Sequence, residues 1–335
     1  MGGIVKKQIL CGIDVGAKEL VVALRPTAGK VWEGIFDNDA SGHRKLVRRL
    51  TRTTTTTRVV IEATGIYHLD LALALHLAKG IEVMVANPRA TKDFARAQLK
   101  RSKTDRTDAL SLLEFARRME FEPWEPPAPS ILALRALSRR IQALLTARAQ
   151  EKNRLHADDS LESTPVEIRE SIDRHIDALN AEVSTLTESA IEVIEADPAL
   201  AERFAHLVSV KGIAQASAVT LLAELSVLPD DMSARQWVAH AGIDPRHNES
   251  GSSVKGSVRI SKVGNRHLRA ALFLPAMVAA QHEPRVRAYY QKLLARGKKP
   301  MQALVAVMRK LLHAIYGMFQ HDADFEGTKF FAESP

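Results

Sequence analysis

Residues 8–24 read QILCGIDVGAKELVVAL, two apolar stretches either side of a Gly-Ala turn. The alternation predicts two antiparallel strands joined as a hairpin, with Asp14 near the end of the first. Further along, the threonine run at 53–57 reads as a low-complexity loop, and VVIEATG (59–65) as a short buried strand ending at Glu62. A helix is expected from His68 to Lys79. IEVMVANP (81–88) is a third strand, stopped by Pro88, which has no N–H for a ladder and turns the residue before it away from helix. Strands alternating with helices make this an α/β layered domain.

The proline-rich stretch EPWEPPAPS (122–130) ends that pattern, and the chain beyond it reads as helical. Ile131 to Arg154 is an amphipathic helix. A second opens at Thr164-Pro165-Val166-Glu167, where threonine as N-cap, proline at the first helical position and glutamate complete a capping box. Ile172, Ile176, Leu179, Val183, Leu186, Ala190 and Val193 then recur at alternate steps of four and three, a heptad seam that predicts a coiled coil. It pairs either with another chain or back on the preceding helix. LVSVKGIAQASAVTLLAEL (207–225) resembles a helix-hairpin-helix that meets a phosphate, and a tight helix connection without a ligand would look the same. From Ser233 onward the chain is basic and mostly helical, with NESGSSVKGSVRISKVGN (248–265) as its long irregular segment.

A chain of 335 residues with 46% hydrophobic content is expected to form two or three domains with sizeable cores. The single cysteine, Cys11, excludes a disulfide framework or thiolate metal cluster and matches a reducing compartment, so the cytoplasm is expected. MGGIVKKQIL lacks the apolar core of a secretion signal, and Lys6 stands where a myristoylation signal takes Ser or Thr. The apolar run from Ala270 to Ala280 is about half a membrane span and contains Pro275, so no membrane partner is expected. The net charge is +8, and it is unevenly spread. Between Arg235 and Lys310, fifteen Lys and Arg stand against Asp244, Glu249 and Glu283, a net +12, while residues 158–202 hold thirteen acids against Arg169 and Arg174. A solvated basic face would give the same count; concentration into one segment points to nucleic acid.

The candidate chemistry lies first in carboxylates. Asp105 and Asp108 open KTDRTDALSLLEFARR (103–118), where Leu110, Leu113 and Ala116 carry a helical period, so the two acids sit one turn apart at a helix start. With Asp14 and Glu62 at strand ends, they make an oxygen-rich pocket suited to hard divalent cations. One or two Mg²⁺ ions fit, because Mg²⁺ takes few carboxylates and completes its octahedron with water and phosphate. Two such ions clamp the attacking and leaving oxygens of a phosphodiester. Each acid has a plainer reading alone: Asp105 and Asp108 as cap and first-turn acid, Asp14 bracing a turn, Glu62 in a strand-end ion pair. The order Asp, Glu, Asp-x-x-Asp, each at an element end, favours the joint reading.

GIDVGAKEL (12–20), IEATGIY (61–67), KTDRTDA (103–109) and ESGSSVKGSVRISKVGNRHLRAALFLPAMVA (249–279) together resemble the insertion-sequence transposases with a four-carboxylate N-terminal domain, the insertion sequence 110 family. These are relatives of the Piv DNA invertase and are described as bridge-RNA-guided recombinases. The resemblance spans nearly the whole chain. It implies a RuvC-like (RNase H-like) α/β domain over 1–125, a helical coiled-coil region over 126–204, a mostly α C-terminal transposase domain over 205–320 and a tail over 321–335. Carried over by position, the metal-binding acids are Asp14, Glu62, Asp105 and Asp108, and the nucleophile is the serine after the glutamate in ESGSS, Ser250. The implied partners are donor and target DNA, a guide (bridge) RNA, and further copies of the chain as a homodimer or tetramer, acting at the nucleoid of a bacterial cytoplasm.

A serine hydroxyl is a weak nucleophile at neutral pH and needs a base or a metal. No nearby side chain is an evident base, although His247 is close in sequence, so the carboxylate-bound ions are expected to activate it. Ser250 then attacks a DNA phosphate, forming a phosphoserine link and releasing a 3′ hydroxyl that attacks the partner strand, so recombination needs no ATP. Gly251 and Gly256 let the backbone approach the duplex, Lys255, Arg259, Lys262 and Arg266 neutralise phosphates, and Ser252 and Ser253 contact them. Acids and serine lie far apart in sequence, so the family arrangement implies a composite active site shared by subunits. A plain metal nuclease or junction resolvase would use the same acids with water as nucleophile. A sugar-kinase or actin-like ATPase also opens on an element such as IDVG, but no later glycine-rich nucleotide loop follows, and a non-catalytic scaffold would need only the basic segment.

Overall fold

The computed structural model describes residues 8–63, 65–98, 104–159, 161, 163–246, 249–250, 254–255 and 259–332, and only the backbone of 159, 249, 250, 254 and 255. It divides into two units, Met1–Pro126 and Pro127–Pro335, so the break falls inside the proline-rich stretch.

The first unit is mixed α/β. Its elements are β1 (Ile9–Val15), β2 (Glu19–Arg25), β3 (Trp32–Asp37), α1 (Ala40–Leu50), β4 (Thr57–Glu62), α2 (Leu69–His76), β5 (Ile81–Ala86), α3 (Pro88–Ala97) and α4 (Asp105–Arg118). The strands form one sheet in the order β3-β2-β1-β4-β5. β1, β2 and β3 are an antiparallel meander, whereas β4 runs parallel to β1 and β5 parallel to β4. The hairpin, the strand ending at Glu62 and the strand before Pro88 stand as the sequence predicts. β3 and α1 carry weaker signals: every second residue of β3 is exposed, and α1 buries only Gly42, His43, Leu46 and Leu50.

Both faces of the central strands are covered, which is why β1 reads as a continuous apolar run. Ile9, Cys11, Ile13 and Val15 cluster with Val59 and Ile61 of β4, Leu46 and Leu50 of α1, and Leu71 and Leu75 of α2. On the opposite face Val60 packs with Leu112, Phe115 and Ala116 of α4, and Ala23 packs with Ala109 and Leu113. Gly12 makes that second layer possible. A Cβ there would lie 2.2 Å from the backbone nitrogen of Leu113 and 2.4 Å from the carbonyl oxygen of Ala109, so only glycine lets α4 come this close.

The second unit is mostly helical: α5 (Pro129–Asp159), α6 (Val166–Glu195), α7 (Pro198–Ser209), α8 (Gln215–Leu225), α9 (Ala234–Ala241), α10 (Arg266–His282), α11 (Pro284–Ala295) and α12 (Pro300–His321). Among the described residues between α9 and α10 lie the short strands β6 (Pro245–Arg246), β7 (Glu249–Ser250), β8 (Val254–Lys255) and β9 (Arg259–Ile260). α5 and α6 pack against each other. Arg148 bonds Asn180 at 2.8 Å, and Glu151 faces His175 at 3.6 Å, so the helices run antiparallel. Ile176, Leu179 and Ala190 of the heptad seam are buried within the chain. Ile172, Val183, Leu186 and Val193 are half-buried, so the chain itself covers the seam in part. One apolar cluster joins Leu134 and Ile141 of α5 and Ala190 and Ile194 of α6 to α8, α10 and α12.

Two local expectations differ. The cap at Thr164 does not form: α6 begins at Val166 with Pro165 in the cap position and no side-chain cap hydrogen bond, and the Thr164 N–H instead donates to Leu161 in a turn. The stretch expected to be irregular is partly paired, β6 with β9 and β7 with β8. In the α7–α8 connection, Gly212 (φ +120°) lies against the backbone of α10, as a close helix connection requires. Among the described residues no helix is long and apolar enough to cross a membrane.

Candidate active site

The period of two along a strand places the acids. Gly12 faces α4, so Asp14, two residues on, is on the same face; Glu62 shares that face with Val60. β1 and β4 run in parallel register with Ile13 opposite Ile61, so Asp14 and Glu62 stand at neighbouring strand ends. α4 runs back along β1. Arg25, paired with Leu10, bonds Glu114 of α4 at 2.7 Å, whereas Gly12 meets Ala109, so the helix start lies toward Asp14. Asp105 and Asp108 are in that first turn.

Thr104 fixes where α4 begins. It is the N-cap, its Oγ1 accepting from the Thr107 N–H at 3.2 Å while its own N–H donates to Thr107 Oγ1 at 2.9 Å. Neither aspartate is therefore the cap, and both stay in the first turn, where the helix dipole favours negative charge. An ion pair between Arg106 and Glu33 ties the helix start to β3. Glu62 is held from another side: the Thr91 hydroxyl of α3 donates to Glu62 Oε2 at 2.6 Å. Asp14, Glu62 and Asp108 are half-buried and Asp105 is exposed.

The four carboxylates thus share one end of the sheet. Among the described residues no three carboxylate or imidazole groups close on a common point. The donor set is all oxygen and suits a hard ion such as Mg²⁺, which binds through one or two carboxylates and fills its remaining positions with water and substrate phosphate. Thr91 had no signal in the sequence, since its role depends on α3 folding back over β4.

In the second unit Ser250 belongs to a hairpin arm. At the root β6 pairs with β9, Pro245 opposite Ile260 and Arg246 opposite Arg259. Farther out β7 pairs with β8, Glu249 opposite Lys255 and Ser250 opposite Val254. Cross-strand pairing, which a local reading cannot see, is what orders this stretch. Ser252 and Ser253 lie outside the described residues, as do the side chains of Ser250 and Lys255. Arg259, Lys262 and Arg266 are exposed around the arm's root.

The root is bolted to the helices. Ser261 donates to Asp244 Oδ1 at 2.5 Å, the Lys262 N–H to the Gly242 carbonyl at 3.0 Å, and the Asn265 N–H to the His240 carbonyl at 2.6 Å. Gly264 (φ +119°) lies so close to the His240 carbonyl that a Cβ would be 2.2 Å away. Asn265 then does two jobs. Its Oδ1 caps α10 by accepting from His267 and Leu268, and its amide donates to Glu224 Oε2 at 2.6 Å. Glu224 has a fully buried side chain and also meets Arg139 at 2.8 Å and Arg135 at 3.5 Å. Burial opposes its ionisation, but the hydrogen bonds from Arg139 and Asn265 and the two arginine charges hold its carboxyl below the usual range. Burial pushes the neighbouring His240 down. Sequence reading missed this network, although a lone acid inside the apolar run TLLAEL is its trace.

Comparison with known proteins gives the class first. The IS110-type DEDD transposase family matches residues 11–161, and the family described as Transposase IS116/IS110/IS902 matches residues 204–291, so the chain is a transposase. The pilin gene-inverting protein of Moraxella bovis is 26% identical over 321 residues, covering 94% of this chain and 97% of that protein. The insertion element IS110 uncharacterized 43.6 kDa protein of Streptomyces coelicolor is 30% identical over 120 residues, 36% of this chain and 29% of that one. The chain belongs to the IS110 family of transposases, and as such it is a DNA recombinase. A solved chain of T. thermophilus RuvC in complex with Holliday junction substrate overlays 35% of this chain and 99% of its own, at 16% identity and a TM-score of 0.27.

Proposed function

We propose that the protein cuts and rejoins DNA through a covalent phosphoserine intermediate, with a RuvC-type nuclease unit supplying the metal site and a bridge RNA choosing donor and target. The observation that carries the reading is the placement of Asp14 and Glu62 on adjacent parallel strand ends, on the sheet face where α4 presents Asp105 and Asp108.

Asp14, Glu62, Asp105 and Asp108 would hold one or two Mg²⁺, which when bound supply Lewis acidity to the phosphate and lower the pKa of a bound hydroxyl. Thr91 helps to orient Glu62 through its hydrogen bond to Oε2. Ser250 Oγ loses its proton and attacks phosphorus; the bond from phosphorus to the 3′ oxygen breaks, and that oxygen leaves as a hydroxyl after taking up a proton. Each bond broken is replaced by one of the same kind, so the 3′ hydroxyl of the partner strand can reverse the step and restore Ser250. The hairpin arm, anchored through Asn265 and Glu224, carries the serine. Arg259, Lys262 and Arg266, exposed near its root, suit phosphate contact.

Incubation with supercoiled donor and target DNA and Mg²⁺, followed by denaturation, tests this. DNA should stay covalently attached to wild type and to Ser252→Ala and Ser253→Ala, and Ser250→Ala should abolish the adduct. Cleavage without an adduct would establish water as the nucleophile and overturn the serine mechanism. RNA of defined sequence should co-purify, and strand exchange by RNA-free protein would overturn guidance.

A further inference from the structure

The second unit contains a cleft of about 740 Å³ between the root of the hairpin arm and the turn joining α11 to α12. Arg259 and Lys262 line it from the arm, Lys298 and Lys299 from the turn, and Arg309 from α12. Among the described residues no carboxylate lines it. All but Arg309 are exposed, and Nε of Arg309 is buried without a hydrogen-bond partner. Leu293, Met301 and Val305 give the cleft an apolar wall, with Met301 58% exposed.

This arrangement of charge is costly, whereas Arg25, Arg58 and Arg106 of the first unit each meet a carboxylate. Five cations around one concavity repel one another, and low-dielectric walls strengthen that repulsion. Lys298 and Lys299 also sit at the N-terminus of α12, the end where the helix dipole disfavours cations and its first N–H groups point outward. A polyanion removes each of these conflicts at once. The apolar wall matches the sugar face of such a chain, and the charges match its phosphates.

We propose that this cleft holds the sugar–phosphate backbone of the DNA strand that Ser250 attacks. The assignment rests on the reading of Ser250 as the nucleophile: β9, which brings Arg259 to the cleft, is paired with β6, from which the chain runs on to Ser250. Lys298, Lys299 and Arg309, which no motif singled out, extend the contact of Arg259 and Lys262 into a continuous track.

Binding of the full-length protein to a labelled DNA duplex, and to an RNA duplex of the same sequence, is measured from low to moderate salt. For Lys298→Ala/Lys299→Ala, both exposed, the slope of log K against log salt should become shallower by about 2 on DNA, near 0.9 per lost phosphate contact, and stay unchanged on RNA. An unchanged slope on DNA with normal wild-type binding overturns the cleft. An equal or larger loss on RNA overturns its assignment to DNA. Failure of the wild type to bind DNA at all is a different result, and sinks the proposed function instead.

Discussion

A side-chain carbon on Gly12 would stand 2.2 Å from the backbone nitrogen of Leu113. This contact sets the height of α4 over β1 and thereby brings the helix start toward Asp14. Gly12→Val puts three carbons where the helix backbone lies, and neither side can yield by turning a side chain. Overpacking of this kind costs about 3 kcal/mol or more. The variant should melt earlier in thermal unfolding and lose Mg²⁺-dependent cleavage. A protein of unchanged stability and activity would show that α4 is not held by this approach.

Thr91→Val keeps the shape of the side chain and removes the 2.6 Å hydrogen bond to Glu62. Partners that orient metal-binding carboxylates typically contribute about tenfold or more to activity. Cleavage should fall by about that factor and need more Mg²⁺, with Thr91→Ser restoring both. Equal rates for the valine and serine variants would remove Thr91 from the site.

Glu224 tests the anchoring of the serine arm. Glu224→Ala leaves Arg135 and Arg139 without their buried counter-charge, which should destabilise the second unit by about 3 kcal/mol, the lower end of the range because both arginines are about a third exposed. Asn265→Ser is the gentler probe: it keeps a hydroxyl suited to cap α10 and withdraws the amide that reaches Glu224, without setting a second carboxylate against the ionised Glu224. Its adduct formation should slow while DNA affinity holds near wild type and the melting temperature falls little. Parallel losses in all three would reduce Asn265 to a structural role.

His206 gives a pH dependence. Burial lowers its pKa, but hydrogen bonds to Asp322 at 2.9 Å and Asp324 at 2.8 Å outweigh that and raise it above the ordinary 6.5. The folded state therefore keeps the proton to higher pH than the unfolded one. The stabilisation is complete below 6.5 and is lost as the pH rises through the folded value. Amide hydrogen exchange at 322–325, corrected for its intrinsic rate, should accelerate as the pH passes above neutral, and His206→Ala should flatten that dependence. A titration midpoint of the His206 ring below 6.5 would contradict it.

Much of the first unit was legible because its signals are local. The hairpin of β1 and β2 and the strand ends at Glu62 and Ala86 follow from alternation or a proline within a few residues, and the helical period after Asp105 marks α4, although its cap is Thr104 and neither aspartate. Resemblance in four stretches of sequence carried the family. β3 was not legible because an edge strand exposes every second residue and carries little apolar pattern.

By itself, then, the sequence determined the strands β1, β2, β4 and β5, the helical character of the second unit, the break after the α/β part, the basic C-terminal segment and which acids stand at element ends. Tertiary structure decided which face Asp14 and Glu62 share, that Thr91 reaches Glu62, that part of the heptad seam is buried within the chain, and that Ser250 rides on a hairpin pinned through Asn265 to a buried Glu224. The division has one physical cause. Propensity and periodicity act over a few residues, whereas close packing and buried hydrogen bonds join groups tens of residues apart, and their partners exist only once the chain has folded.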